Sequence, residues 1–367
     1  MIEFQEFRSE RPAEEWDDRL LKFQDVNYQQ VYSFGEFGKT RASDVFRAML
    51  VDGAQTLVMA QGLIRKSLFG TGVLVIRGGP VYQVSKNENS NLKNLRAFLQ
   101  QLIKISREQY RFSYINITMN GERSVVAEIA LREAGMARPY FERSPYLTYM
   151  VPVHRDPQQN MAAFDTKWRN QLRRAESLNP TYSWGNDELL LKSYITLHNT
   201  MCRIKSIQSY ALTYEDMLPM QRHFGERLKF LVVNHAGQDV CGCAVIMTHH
   251  KAFYYYAAAN EQGRAGYFSN DMVWNLIQRL HGIEVTELDM SGIDPVRNWG
   301  GYHFKKGTGG RLYAYLGEWD FGSPGIIKFL MNLSLFWRSS QLYRQTRRHD
   351  YLRHCRSRLV AQVKKFV

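Results

Sequence analysis

The pattern of apolar and polar positions runs through the chain twice. In the first pass, residues 55–62 form a strand-like apolar run, and 73–76 form a second. Arg77-Gly78-Gly79-Pro80 follows as a glycine-built turn. Leu92, Leu95, Phe98, Leu99, Leu102 and Ile103 recur at helical spacing and predict a helix over 92–110. Residues 112–117 read as a strand, 123–134 as a helix stopped by Gly135, and 145–150 as a closing strand. The second pass opens on a basic amphipathic helix over 164–177, ended by Asn179-Pro180. Helices over 187–201 and 214–224 come next. Strands over 228–234, 240–249 and 252–259 are joined by short hairpin links at 235–239 and 249–251. A helix over 269–280, with Ser269 or Asn270 as its cap, a strand over 285–290 and a last strand over 311–318 complete the pass.

Each pass offers strands, a helix, a strand, a helical piece and a final strand. Hairpins dominate its centre, so the fold class is α+β with mixed central sheets and helices on their faces, not a doubly wound parallel sheet. Two tandem domains are expected, at 1–150 and 151–325. The boundary lies in the proline- and charge-containing stretch 151–157. Residues 326–367 form a third segment, a basic helical tail. It is apolar first, from Ile326 to Trp337, and basic afterwards.

Length and composition fit this division. The 367 residues suit two cores, and 44% hydrophobic content can fill them. Lys+Arg exceed Asp+Glu by 48 to 35, a net charge of +13, which favours polyanionic partners. Four cysteines, Cys202, Cys241, Cys243 and Cys355, are too few and too irregular for a disulfide framework or a zinc site. Cys241 and Cys243 are expected on one face of a strand. The N-terminus carries no apolar signal-peptide core, and no apolar run reaches membrane-spanning length, so a reduced, cytoplasmic protein is expected.

The familiar catalytic patterns are missing. There is no Gly-x-Ser-x-Gly elbow, no His-Glu-x-x-His, no Cys-x-x-Cys and no Walker A sequence. His249 and His250 are adjacent and point to opposite faces of a strand, so they do not chelate together. What stands out is the segment from Leu288 to Arg311. A strand ends in Ser291-Gly292, and Phe304-Lys305-Lys306-Gly307 then runs into Gly309-Gly310. Glycines permit close backbone approach, and a lysine fixed beside them can stabilise an oxyanion or hold a phosphate or carboxylate. The competing reading is a glycine-rich turn with solvated lysines.

Four motifs in order resemble one family, the FemABX-type aminoacyltransferases, which are similar to tandem acetyltransferase (GNAT) folds. Gly301-Tyr-His-Phe304-Lys305-Lys-Gly307-Thr-Gly309-Gly310 resembles its Phe-Lys-x-Gly-Phe-Gly-Gly signature. Leu74-Val-Ile-Arg77-Gly78-Gly79-Pro80-Val81 resembles its first-domain Arg-Gly-Pro turn. Lys167-Trp-Arg169-Asn-Gln-Leu-Arg173-Arg174-Ala175 resembles the basic helix that opens its second domain, and Thr200-Met-Cys-Arg203 the arginine after the next helix. The resemblance covers about residues 25–320. It implies two tandem GNAT-like domains and a reaction in which an aminoacyl group passes from aminoacyl-tRNA to an amine of a nucleotide- or lipid-linked peptidoglycan precursor. The amine attacks directly, so no enzyme nucleophile, metal or cofactor is needed.

The resemblance also assigns roles. Lys305 is the candidate for the oxyanion, with Phe304 shaping the donor site. Arg203 would bind the acceptor's diphosphate, with Arg77 and Lys39 as first-domain contributors and Gly309 and Gly310 near the substrate. Two departures stand out. Phe34-Gly35-Glu36-Phe37-Gly38 places glycine where the family carries lysine, with Lys39 one residue late. Ile115-Asn116-Ile117-Thr118-Met119 lacks the family's carboxylate. A tyrosine on the 252–259 strand lines the family's site. Simple alternation puts Tyr254 and Tyr256 on one face and Tyr255 on the other, with core packing as the alternative for all three. The helical-hairpin arm of some members is absent.

Two rival readings stand beside this one. An acyl-CoA N-acyltransferase acting on an amino sugar or amino acid needs a pyrophosphate loop, and Asn260-Glu261-Gln262-Gly263-Arg264-Ala265-Gly266 occupies that place. There Gly263 and Ala265 fit, Asn260 does not, and Glu261 repels phosphate. A non-catalytic RNA- or membrane-binding protein is the other rival. Its support is the tail, where ten Lys/Arg face one acid, Asp350, so that +9 of the +13 lies after Gly325. The tail is read as lying on an anionic membrane, gripping a tRNA acceptor arm, or packing on the body with a solvated basic end.

Overall fold

The computed structural model describes residues 2–7, 10–39, 44–66, 72–140, 146–153, 156–283, 285–295 and 298–347. Most of the basic tail, with Cys355 and Arg348 onward, lies outside them, as do Val296 and Arg297 of the glycine-rich segment.

The chain opens with β1 (Ile2–Glu6), α1 (Ala13–Leu20), α2 (Tyr32–Lys39) and β2 (Asp44–Asp52). The periodicity places no element before residue 55, so these four are additions. β3 (Gln55–Lys66), β4 (Gly72–Arg77), α3 (Glu88–Glu108), β5 (Phe112–Glu122), α4 (Val125–Glu133) and β6 (Leu147–Pro152) follow. The second pass holds α5 (Pro157–Ala163), α6 (Thr166–Glu176), β7 (Thr181–Gly185), α7 (Glu188–Ile204) and α8 (Tyr214–Phe224). It continues with β8 (Leu228–His235), β9 (Gln238–Met247), β10 (Lys251–Ala259), α9 (Glu261–Ala265) and α10 (Phe268–His281). Then come β11 (Glu287–Asp289), α11 (Trp299–Lys306), β12 (Arg311–Gly322) and α12 (Gly325–Arg347).

Local chemistry explains the boundaries. Ser124 caps α4 by accepting from the Ala127 amide at 3.1 Å, and Thr213 caps α8 through the Asp216 amide at 3.1 Å. The β8–β9 hairpin turns at Ala236-Gly237, both at positive φ (51° and 78°), as a tight two-residue turn demands. α11 corrects the competing reading of this segment as a glycine-rich turn: residues 299–306 are a helix. Asn298 starts it by accepting from the Gly301 amide at 3.1 Å, which offsets the poor helix propensity of Gly300 and Gly301.

The twelve strands of the described residues form one sheet in the order β1-β2-β3-β4-β5-β12-β6-β11-β10-β9-β8-β7. The order is palindromic when β1–β6 are matched with β7–β12. The parallel pairs, β4 with β5 and β10 with β11, occupy equivalent places. At the centre the two passes exchange their last strands. β6 pairs antiparallel with β11, while β12 pairs with β6 through Arg311–Ala314 and with β5 through Tyr315–Gly322. The expected division at 150/151 therefore falls inside β6, a first-pass strand that hydrogen-bonds to second-pass partners. Partner choice between distant strands leaves no local trace in the pattern.

Among the described residues three large cores hold the sheet, beside a small fourth cluster of Leu197, Met201, Cys202 and Ala258. One lies under α3 and α4 (Leu95, Phe98, Leu131) and a second under α6 and α10 (Trp168, Leu172, Leu276). The third joins the passes, packing Trp16, Leu20 and Phe23 with Leu191, Tyr194 and Phe230. Cys241 and Cys243 are buried together in the second core as expected, and both thiols are free. Among the described residues no side-chain group is arranged to hold a metal, and no helix is long and apolar enough to cross a membrane.

Candidate functional site

The strand exchange brings four elements to one point. β11 ends at Asp289, whose carboxylate is buried. It accepts from Thr148 Oγ1 of β6 at 2.6 Å, from the Ser291 amide at 2.8 Å and from the Tyr315 hydroxyl of β12. Ser291 then adopts a left-handed conformation, φ 57°, which is uncommon for a residue other than glycine. The carbonyls of Ser291 and Gly292 accept from Lys305 Nζ of α11, at 3.1 and 3.0 Å.

Both charges feel their confinement. Burial brings the Lys305 ammonium down to about 8, against the pull of Asp289 in the opposite direction. Burial also raises Asp289 above the usual carboxylate range, although its hydrogen bonds from Thr148, Tyr315 and Ser291 oppose this. The outcome is a cation that keeps or loses its proton close to neutral pH, beside an acid fixed by three donors.

Phe304 precedes Lys305 on α11 and faces elsewhere. Its ring lies 6.1 Å from that of Trp168 on α6. Together α6 (Lys167, Trp168, Gln171) and α11 (Gly300, His303, Phe304) wall a cleft of about 280 Å³. The two separate sequence motifs, the basic helix and the Phe-Lys segment, thus form opposite sides of one groove. Gly307 closes its end, because a Cβ there would meet Trp168 Cδ1 at 2.6 Å.

The tyrosines of β10 overturn the alternation reading. A bulge between Tyr254 and Tyr256 inserts Tyr255 as an extra residue. Tyr254 pairs with Val245 and is buried in the second core, whereas Tyr256 pairs with Ala244 and faces α7, its ring 5.7 Å from His198. Tyr254 and Tyr256 therefore lie on opposite faces, and Tyr254 takes the packing role. Tyr255 meets Tyr28 of the first pass, with ring centroids 5.6 Å apart. Burial raises the Tyr28 phenol, Asp289 and Tyr256 raise it further, and Arg77 lowers it. Arg77, Tyr256 and Asp289 thus share one electrostatic neighbourhood around Tyr28.

Other expected site residues stand apart. Arg203 is exposed on the last turn of α7 and donates to Thr200 Oγ1 at 3.1 Å. Lys39 pairs with Glu36 at 2.8 Å, and Glu36 also holds the buried Arg47 at 2.8 Å. At Gly38 a Cβ would meet Leu63 Cδ2 at 2.4 Å, so a side chain there requires Leu63 to move. Gly309, at φ 69°, abuts the Ala163 carbonyl, and Gly310 abuts that of Met150. Both glycines close backbone against backbone where β12 begins.

Asp289, Thr148, Tyr315 and Tyr28 were not singled out from the sequence. Asp289 carried a usable signal, an acid at a strand end just before Ser291-Gly292. Thr148 and Tyr315 reach it only through the strand exchange.

No protein-family model matches the chain, and no curated protein matches it in sequence. Solved structures match its fold. The crystal structure of FemX aligns over 89% of this chain and all of its own, at a TM-score of 0.77 and 15% identity. A conserved protein of unknown function from Bacteroides thetaiotaomicron aligns over 87% of this chain and 99% of its own, at 0.56 and 12%. A tandem GNAT protein from the clavulanic acid biosynthesis pathway aligns over 88% and 98%, at 0.51 and 10%. The chain has a FemABX-type, tandem GNAT-like fold.

Proposed function

We propose that the protein is an acyltransferase that forms an amide bond, moving an aminoacyl group from aminoacyl-tRNA to an amine of a nucleotide- or lipid-linked peptidoglycan precursor. The observation that carries this reading is Lys305, a half-buried cation held by two carbonyls at the end of β11 with its neighbour Phe304 lining the α6–α11 cleft.

The chemistry asks for little else. The acceptor amine attacks the ester carbonyl, a C–N bond forms, and the C–O bond to the tRNA ribose breaks. The amine's surplus proton leaves with the ribose oxygen. In between, charge builds on the carbonyl oxygen, where a fixed ammonium in a partly desolvated site is most effective. Lys305 fills that role when charged. The aminoacyl end of the donor takes the cleft beside Phe304 and Trp168, with Lys167 at its rim. Arg77 and Arg203 are exposed cations on either pass, suited to the acceptor's diphosphate. This reading places the protein in the cytoplasm, where charged tRNA is found.

A second observation favours tRNA over acyl-CoA as donor. At the α9–α10 junction, the amides that would bind a pyrophosphate are already engaged. Gly263 N donates to Asn260 Oδ1 at 2.8 Å, Gly266 N to the Gln262 carbonyl at 2.9 Å, and Tyr267 N to the Arg264 carbonyl at 3.3 Å. Asp271 stands buried in the first turn of α10, where it repels an anion.

The test is donor consumption. The protein is incubated with bulk aminoacylated tRNA or with acyl-CoA, each with amine-bearing precursors. Acceptor-dependent loss of the aminoacyl ester is expected. Consumption of acyl-CoA alone contradicts the tRNA donor, and consumption of neither removes the enzymatic reading.

A further inference from the structure

Asp165 is the one carboxylate among the described residues that wall the α6–α11 cleft. It holds the N-cap position of α6, where an aspartate ordinarily accepts from the first-turn amides. Here its side chain makes no such hydrogen bond. Its backbone is fixed instead. The Asp165 amide donates to the Gly307 carbonyl at 2.9 Å, and its carbonyl accepts from the Arg169 amide at 2.9 Å. Because Gly307 closes the cleft, Asp165 stands at the closed end.

The charge acts toward the α11 side. Tyr149 of β6 and Tyr302 of α11 share a hydrogen bond, with ring centroids 6.2 Å apart. Burial lifts the Tyr149 phenol to about 12, and Tyr302 and then the Asp165 carboxylate raise it as well. The other walls are aromatic. Trp168 and Phe304 stand 6.1 Å apart with 37° between their planes, and His303 adds a third ring.

A carboxylate set among aromatic rings is the combination that holds an organic ammonium. The carboxylate supplies charge-assisted hydrogen bonds, and the rings supply their negative faces. The same site suits an anion poorly, since Asp165 repels it, and gives an uncharged acyl group no use for the carboxylate. Lys167 lies two residues further along α6 and is exposed. Its charge has the opposite sign, which suits the phosphodiester chain of the donor. Asp165 and Lys167 thus match the two charges of an aminoacylated RNA end, an ammonium on the amino acid and phosphates on the nucleic acid.

We propose that Asp165 binds the α-ammonium group of the transferred aminoacyl residue, so that the cleft accepts donors with a free α-amino group and rejects N-acylated ones. The inference rests on the transfer reading above and deepens it by naming the group that the cleft recognises. Trp168 and Phe304 flank that ammonium. An N-acylated donor brings no charge and leaves the carboxylate covered without a cation, which is costly.

The experiment measures binding without acceptor, so it does not depend on turnover. Bulk aminoacylated tRNA, the same tRNA N-acetylated with acetic anhydride, and uncharged tRNA are titrated by filter binding. The full-length proteins are wild type, Asp165→Asn and Asp165→Glu. The wild type should bind the aminoacylated form about tenfold or more tighter than the acetylated form. Asp165→Asn should lose that preference and bind the acetylated and uncharged forms as the wild type does. Asp165→Glu, which keeps the charge, should retain it. Asparagine serves as an N-cap as well as aspartate, so α6 should stay intact, and circular dichroism checks this. Equal wild-type affinity for the aminoacylated and acetylated forms overturns the proposal, as does a preference that survives Asp165→Asn. A parallel loss of affinity for all three forms in Asp165→Asn assigns Asp165 to the fold and overturns it too. Transfer is followed on the same samples. Transfer without the preference removes this inference alone, whereas a wild type that binds no tRNA removes the transfer reading and this inference together.

Discussion

Lys305 Nζ sits 3.1 Å from the carbonyl oxygen of Ser291, a residue held at φ 57°. The left-handed turn lets the Ser291 and Gly292 carbonyls both face the ammonium, so a strand end and a helix end are tied across the mouth of the site. Backbone strain of this kind costs about 1–3 kcal/mol and persists where the surroundings enforce it. Here Asp289 does so by accepting from the Ser291 amide at 2.8 Å.

Lys305→Ala removes the cation and leaves α11 otherwise intact. Turnover should fall about 10²–10³-fold with the circular dichroism spectrum unchanged, as for loss of one oxyanion donor elsewhere. Unchanged turnover removes Lys305 from the mechanism.

The same residue sets a pH limb. Its ammonium is brought down to about 8, so it is charged below that pH and increasingly neutral above it. Activity that needs the charge should be present below about 8 and be lost as pH rises through that value. Lys305→Arg, whose guanidinium stays protonated, should abolish the limb even where it lowers the rate.

Asp289→Asn tests the partner. The carboxylate holds the Lys305 ammonium up, so its loss should move the limb to lower pH. A limb that stays in place shows that Asp289 acts on the fold alone.

The sequence pattern made some of this legible and hid the rest for physical reasons. The helix read over 214–224 is α8, with the range observed. The repeated order of elements reveals two passes. The exchange of β6 and β12 is invisible because strand pairing is a long-range choice, and it is this exchange that delivers Thr148 and Tyr315 to Asp289. α11 was masked by its glycines. Tyr254 and Tyr256 were misassigned to one face because a single bulge residue reverses parity. Phe304 and Lys305 were singled out by residue type and neighbours, although not as parts of a helix.

Lys328→Ala tests how the C-terminal helix is held. It leaves Asp320, fully buried, without its cation. Loss of one partner from a buried pair costs about 3–5 kcal/mol. Urea unfolding should show a loss of that order, and α12 should become sensitive to limited proteolysis.

Gly309→Ala meets two obstacles, a φ of 69° and a Cβ placed 2.2 Å from the Ala163 carbonyl oxygen. The conformation alone costs about 1 kcal/mol, and the close approach adds to it. A fall in thermal midpoint with residual activity intact in the folded fraction fits a closing role. An unchanged midpoint with lost substrate affinity would return Gly309 to the binding site.

The central claim is Lys305-dependent aminoacyl transfer, and the acceptor's mass reads it directly. A nucleotide-linked precursor is incubated with bulk aminoacylated tRNA and either the wild-type protein or Lys305→Ala. Its intact mass should rise by one aminoacyl residue with the wild type and stay unchanged with the variant. No mass gain with the wild type, or an equal gain with both proteins, contradicts the account.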